Sequence, residues 1–129
     1  NYIKEMGKVL KKLAVFGLLI SMLVVGSGGA LAAGKESKSV NAPGEATING
    51  IGQYVRWTIQ TGVNGGYVQG FLYEDCGNGF KTIDEMSTGL GYIFDELTNN
   101  VYMSYGCKYT IDVRQHAGTG GKGFIRNWD

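Results

Sequence analysis

Tyr54-Val55-Arg56-Trp57-Thr58-Ile59-Gln60 alternates polar and apolar side chains. A period of two is the pattern of a strand with one face buried. Asn64-Gly65 follows, a pair that tolerates positive φ and is the strongest short signal for a hairpin turn. With the turn there, the segment from Gln53 to Glu74 reads as one hairpin, and counting fixes its register. Trp57 then stands opposite Leu72, Ile59 opposite Gly70 and Thr61 opposite Val68, an apolar inner face in which Gly70 leaves room for bulky neighbours. The outer face pairs Arg56 with Tyr73, Thr58 with Phe71 and Gln60 with Gln69. A slip of one residue would invert every assignment.

The same reading extends along the chain. Lys108 to Gln115 alternates, with Tyr109, Ile111 and Val113 on one side and Lys108, Thr110, Asp112 and Arg114 on the other. Asn99-Asn100 suggests a second turn, joining a strand over 91–97 to one over 101–105. Ala46 to Ile51, a short piece near Phe80, and Phe124 to Trp128 after a Gly-rich loop at 117–123 complete seven or eight strands. Helix is argued only for a single turn at Thr82 to Met86, since no apolar period of 3.6 persists for three turns. Many short strands at this spacing predict an all-β fold. The expectation is a small antiparallel β-sandwich, jelly-roll or immunoglobulin-like, with a small β-barrel as the alternative.

Ahead of these strands lies a different kind of sequence. Lys8, Lys11 and Lys12 precede an apolar run from Leu13 to Val25, broken by Ser27-Gly28-Gly29 and followed by Ala30-Leu31-Ala32. Basic, apolar and small in that order is the logic of a cleaved export signal. The apolar run of thirteen residues is short of the roughly twenty that span a bilayer. The reading is therefore a signal within residues 1–32, cleaved before Ala33, a flexible leader over 33–45 and a folded domain over 46–129. Met6 is the expected initiator, with Asn1 to Glu5 upstream of it. The expected location is extracellular, with no membrane span left after cleavage.

The whole chain carries a formal charge of +1, but four of its basic residues, Lys4, Lys8, Lys11 and Lys12, fall in the signal. Cleavage leaves eight basic and ten acidic residues, a net charge of −2. Nucleic acid and anionic lipid both require clustered positive charge and are disfavoured as partners. Cys76 and Cys107 are the only cysteines. In an exported protein such a pair reads as a disulfide, contributing roughly 3–4 kcal/mol.

Catalytic and cofactor patterns fail on inspection. Gly118, Gly120 and Gly123 match a dinucleotide-binding spacing, but a strand follows where a helix is needed. Lys122 precedes Gly123 rather than Ser or Thr, so a P-loop fails too. His116, the only histidine, is four residues from Asp112, about 13 Å along a regular strand, and reads as an exposed loop residue. Glu74, Asp75, Asp84, Glu85, Asp95 and Glu96 offer oxygen ligands but match no calcium-loop spacing, and nothing singles out two of them as a glycosidase pair. Two Cys and one His at no ligand spacing make a metal site improbable. A non-enzyme without metal or cofactor is expected.

What remains is aromatic. On the outer face of the first hairpin, Tyr54, Phe71 and Tyr73 share a surface with Arg56, Gln60 and Gln69. Flat rings beside amide and guanidinium donors make a platform for a sugar or a protein. The candidate ligand-binding residues are Tyr54, Arg56, Gln69, Phe71 and Tyr73. The leading expectation is a secreted binding domain for an extracellular glycan, cell-wall component or protein, acting through this face or the Gly-rich loops. The alternatives are a secreted bacteriocin-type antibacterial protein and an extracellular enzyme inhibitor.

Overall fold

A computed structural model describes residues 34–129. The export signal and the cut before Ala33 lie outside the described residues. Eight strands follow one another: β1 (Ser37–Asn41), β2 (Gly44–Asn49), β3 (Gln53–Gln60), β4 (Tyr67–Asp75), β5 (Phe80–Ser87), β6 (Glu96–Met103), β7 (Lys108–Ala117) and β8 (Lys122–Arg126). They form two four-stranded antiparallel sheets, ordered β1-β8-β3-β6 and β2-β7-β4-β5. First pairs with last, second with seventh, third with sixth and fourth with fifth. The chain is thus one long hairpin with β4–β5 at its tip, rolled so that every other connection crosses between sheets. That topology is a jelly-roll sandwich; the sheets do not close into a barrel.

The alternating strands place the core as expected. Val55, Trp57 and Ile59 of β3 point inward, as do Val68 and Leu72 of β4 and Tyr109, Ile111 and Val113 of β7. With Ile48, Met86, Met103 and Ile125 they fill the space between the sheets. Two glycines let the layers approach. A Cβ on Gly70 of β4 would come within 2.6 Å of Ile59 Cγ2 and 2.9 Å of Trp57 Cζ3. A Cβ on Gly123 of β8 would meet Val113 Cγ2 from the opposite sheet. The room that Gly70 provides is real, but it is room across the sandwich.

The turn falls one residue earlier than expected, with Val63-Asn64 at its centre and Gly65 N–H donating to Gly62 O at 3.0 Å, and it does not make a hairpin. β3 lies between β8 and β6, and β4 lies between β7 and β5, so neither has a free edge for the other. Trp57 pairs with Asn99 and Ile125, and Leu72 with Asp84 and Ile111, in place of the expected Trp57–Leu72 rung. Six residues, 61–66, connect β3 to β4, enough chain to cross the ~10 Å between stacked sheets. Other expectations are corrected in the same way. Asn99-Asn100 lies inside β6, where both residues pair with β3, and is no turn. Thr82 to Met86 belongs to β5 rather than to a helical turn. The leader is not flexible through Asn41, because Ser37–Asn41 forms an edge strand on β8. β2 begins at Gly44, two residues ahead of the expected domain start.

The two ends of the sandwich are held differently. At one, Gly66 and Gly91 bridge neighbouring connections, and Gly62 packs against the backbone of Thr119 so closely that no side chain fits. At the other, Cys76 and Cys107 form a disulfide with Cα atoms 4.2 Å apart. It extends the β4–β7 ladder past the Asp75–Lys108 pair. The bridge therefore ties two central neighbours rather than distant edges of the sheet.

Candidate functional site

The five candidate residues divide between opposite faces. Gln69, Phe71 and Tyr73 stand on the outer face of the β2-β7-β4-β5 sheet, while Tyr54 and Arg56 stand on the outer face of the β1-β8-β3-β6 sheet. The structure brings three of them together and not the other two. Strand alternation places each residue in or out correctly; which sheet a strand joins is what the hairpin reading missed.

On the first face, β4 directs Phe71 and Tyr73 outward two residues apart, with ring planes within 3° of parallel and centroids 6.3 Å apart. A bulge between Leu72 and Tyr73 shifts the β5 register, and Phe80 meets Tyr73 edge-on at 5.3 Å. Phe80 is 73% exposed. Arg114, from β7, lays its guanidinium 4.4 Å over the Phe71 ring. Asp112 receives both Arg114 Nε and Nη2 on one oxygen, at 3.2 and 3.0 Å. That carboxylate raises the Arg114 pKa above its ordinary value, so the cation is permanent.

A second row of polar groups crosses the sheet beside the rings. Gln69 Nε2 donates to Glu85 at 2.7 Å, which leaves Gln69 Oε1 as an acceptor. His116 Nε2 lies 2.8 Å from that oxygen and must donate to it, fixing the tautomer. The imidazole packs on Tyr67 with centroids 4.7 Å apart. His116 thus lies on a strand, not in a loop, and is exposed. It forms no dyad with Asp112, whose carboxylate is engaged by Arg114. Phe80 and Arg114 belong to this surface although neither was singled out. Arg114 was legible from the alternation of 108–115; it was missed because the platform was confined to one supposed hairpin.

The acidic residues do not converge. Asp84 accepts from the indole Nε1 of buried Trp57 at 2.8 Å and from Asn99 Nδ2 at 3.0 Å. Glu74 accepts from the hydroxyl of Tyr109 at 2.7 Å and pairs with Lys81. Burial, reinforced by Glu74, raises the Tyr109 pKa. Among the described residues, the one tight group of potential metal ligands is Glu74, Cys76 and Cys107. Its two sulfurs are joined to each other, which removes the thiolates a metal would need.

On the opposite face, Tyr54 meets Tyr102 edge-on at 5.1 Å and is 69% exposed. Further along the same pair of strands, beyond Arg56 and Asn100, the paired Thr58 and Thr98 hydroxyls lie 2.8 Å apart. Arg56 reaches Asp129.

No known protein family matches the chain, and no curated protein matches it in sequence. Solved structures resemble it at low scores. The Yersinia pseudotuberculosis-derived mitogen is 16% identical over 72% of this chain and 82% of its own, with a TM-score of 0.41. A carbohydrate binding module from the glycoside hydrolase family 9 protein Cel9A of Ruminococcus flavefaciens is 12% identical over 70% of this chain and 96% of its own, with a TM-score of 0.37. A pentameric capsid protein from metagenomic phage sequences is 9% identical over 71% of this chain and 62% of its own, at the same score of 0.37. At such scores the ligand must be read from this chain's own residues.

Proposed function

We propose that the protein is a non-catalytic glycan-binding domain acting outside the cell, and that it binds through the outer face of the β2-β7-β4-β5 sheet. The observation that carries this is the row of three rings, Phe71, Tyr73 and Phe80, on an open sheet face flanked by Arg114, Gln69 and Glu85. A pyranose ring presents a face of C–H groups and an edge of hydroxyls. Aromatic rings receive the first, and charged or amide side chains beside them receive the second. The rungs below the rings are held rigidly by β7 and β5 on either side of β4, so the surface is preformed. An oxidising location is supported by the Cys76–Cys107 disulfide and by the order of basic, apolar and small residues ahead of Ala33.

Affinity electrophoresis through gels containing soluble plant, fungal and bacterial cell-wall polysaccharides tests the reading. At least one polymer retards the protein, and Phe71→Ala or Tyr73→Ala each weakens that retardation about tenfold. Retardation by an uncharged polysaccharide that survives the double substitution undiminished rules out this face. The extracellular assignment predicts a mature N-terminus at Ala33, read by mass spectrometry of the culture supernatant. An intact 13–25 segment in the membrane fraction contradicts it.

A further inference from the structure

The outer face of the β1-β8-β3-β6 sheet carries a groove of about 600 Å³, whose lining includes Arg56, Thr58, Thr98, Phe124, Arg126 and Trp128. Two guanidiniums converge at one end of it. Arg56 Nη2 lies 3.4 Å and Arg126 Nη2 3.2 Å from the same carboxylate oxygen, Oδ1 of Asp129. Arg126 is backed by Trp128, whose ring centroid is 4.9 Å from the guanidinium carbon, and Lys35 lies 5.5 Å from that same ring. Two cations therefore hold one carboxylate, with a third beside Trp128, in a domain whose remaining surface is acidic on balance. Arg126 is also under-satisfied: among the described residues its buried Nε has no hydrogen-bond partner. The Asp129 side chain is 66% exposed, and exposed ion pairs of this kind contribute little to stability. It can leave at little cost.

We propose that this groove is a second binding site, specific for a glycan bearing carboxylates, and that Asp129 holds the place of the ligand's uronate until one arrives. The carboxylate seat follows from the charges. The saccharide follows from the rest of the groove. Beyond the arginines run the hydroxyls of Ser37, Ser39, Thr58 and Thr98 and the ring of Phe124, with Glu96 as an acceptor two rungs past Arg56. These suit a hydroxylated ring. An acidic peptide would seek a free strand edge, whereas this groove lies across the outer face of all four strands, with β8 and β3 at its centre. The site uses none of the platform residues on the other sheet, so it stands or falls separately from the glycan reading made for that face.

The test uses purified protein with polygalacturonate, alginate and hyaluronan, each beside its carboxyl-reduced form, and with polyglutamate. At least one acidic polysaccharide is bound about tenfold more tightly than its reduced form, and raising the salt concentration narrows the gap. Arg56→Gln and Arg126→Gln each remove most of that preference. Asp129→Asn strengthens binding up to about fivefold by removing the internal competitor, a gain that misfolding cannot imitate. Lys81→Gln, which removes a cation from the other sheet, leaves the preference intact. Equal binding of acidic and reduced polymers, or no gain in Asp129→Asn, overturns the proposal. Polyglutamate bound as tightly as the best polysaccharide overturns its glycan half.

Discussion

The two outer faces of the sandwich share a core and almost nothing else. One sheet presents Phe71, Tyr73 and Phe80 in a row, with Glu45, Asp75, Glu85 and Asp112 outnumbering Lys108 and Arg114 around them. The other presents Arg56, Lys122 and Arg126 with hydroxyls between, opposed on its strands by Glu96. Each strand gives one alternate set of residues to the interior and the other to solvent. The inner sets must fit each other, whereas the outer sets are free to differ. Chemistry can therefore diverge on the two faces without cost to the fold, provided the core keeps both sheets flat against it.

The largest effect comes from breaking what the faces share. Trp57 is fully buried, belongs to one sheet and packs on Gly70 of the other. Trp57→Ala should cost about 3–5 kcal/mol in urea denaturation and weaken binding at both faces together. Loss of binding at one face alone would show that the sheets are not mechanically joined through this residue.

Removing the disulfide distinguishes the sheets. Cys76 and Cys107 extend the β4–β7 ladder beneath the aromatic row, and the closed loop spans a sequence separation of 31 residues. The Cys76→Ser, Cys107→Ser double variant should lose roughly 3–4 kcal/mol. Near its melting midpoint, amide exchange should rise first in β4 and β7 and later in β3 and β8. Uniform exchange would mean that the bridge supports the whole sandwich equally.

Gly70 and Gly123 form a matched pair for a smaller test. Each makes space for side chains of the opposite sheet. Gly70→Ala drives a methyl group into Ile59 and Trp57, an overpacking that costs about 1–3 kcal/mol. Gly123→Ala should cost a comparable amount through Val113 and Ile111. A neutral Gly70→Ala would show that the layers can separate slightly at the indole.

These residues also show what was legible in the sequence. The alternation puts Trp57, Ile59 and Leu72 on an inner face and Tyr109, Ile111 and Val113 together on one side of their strand, and all six are buried, because a period of two separates the two sides of a strand. The Cys76–Cys107 bridge was legible because two cysteines allow one pairing. Partner choice was not. The turn at Val63-Asn64 is the same local turn whether the next strand pairs with the last or crosses to the other sheet. What decides is whether β6 and β8 have already taken the edges of β3, and that is information from forty to seventy residues away. The same gap explains the divided platform. Arg56 and Tyr73 were placed across a rung, and they lie on opposite sides of the molecule because the rung does not exist. β1 escaped notice for a different reason: Ser37-Lys38-Ser39-Val40-Asn41 has little apolar content, and an edge strand with a mostly exposed pattern gives almost no periodic signal.

The smallest effect is the sharpest separation of the two faces. Tyr54 was grouped with Phe71 and Tyr73 on sequence grounds, and the structure sets it beside Tyr102 on the other sheet. Its ring is mostly in solvent, and its one aromatic partner is itself 47% exposed. Tyr54→Ala should therefore change stability by no more than about 0.5 kcal/mol and leave retention by polysaccharide at the Phe71–Tyr73 face unchanged. Phe71→Ala, which also uncovers the guanidinium of Arg114, should cost somewhat more, about 0.5–1 kcal/mol, through the lost cation–π contact, and should weaken that retention about tenfold. If Tyr54→Ala and Phe71→Ala weaken binding of the same polymer equally, one ligand must wrap from sheet to sheet. The two faces would then be a single site, and the contrast between them would mark its two halves.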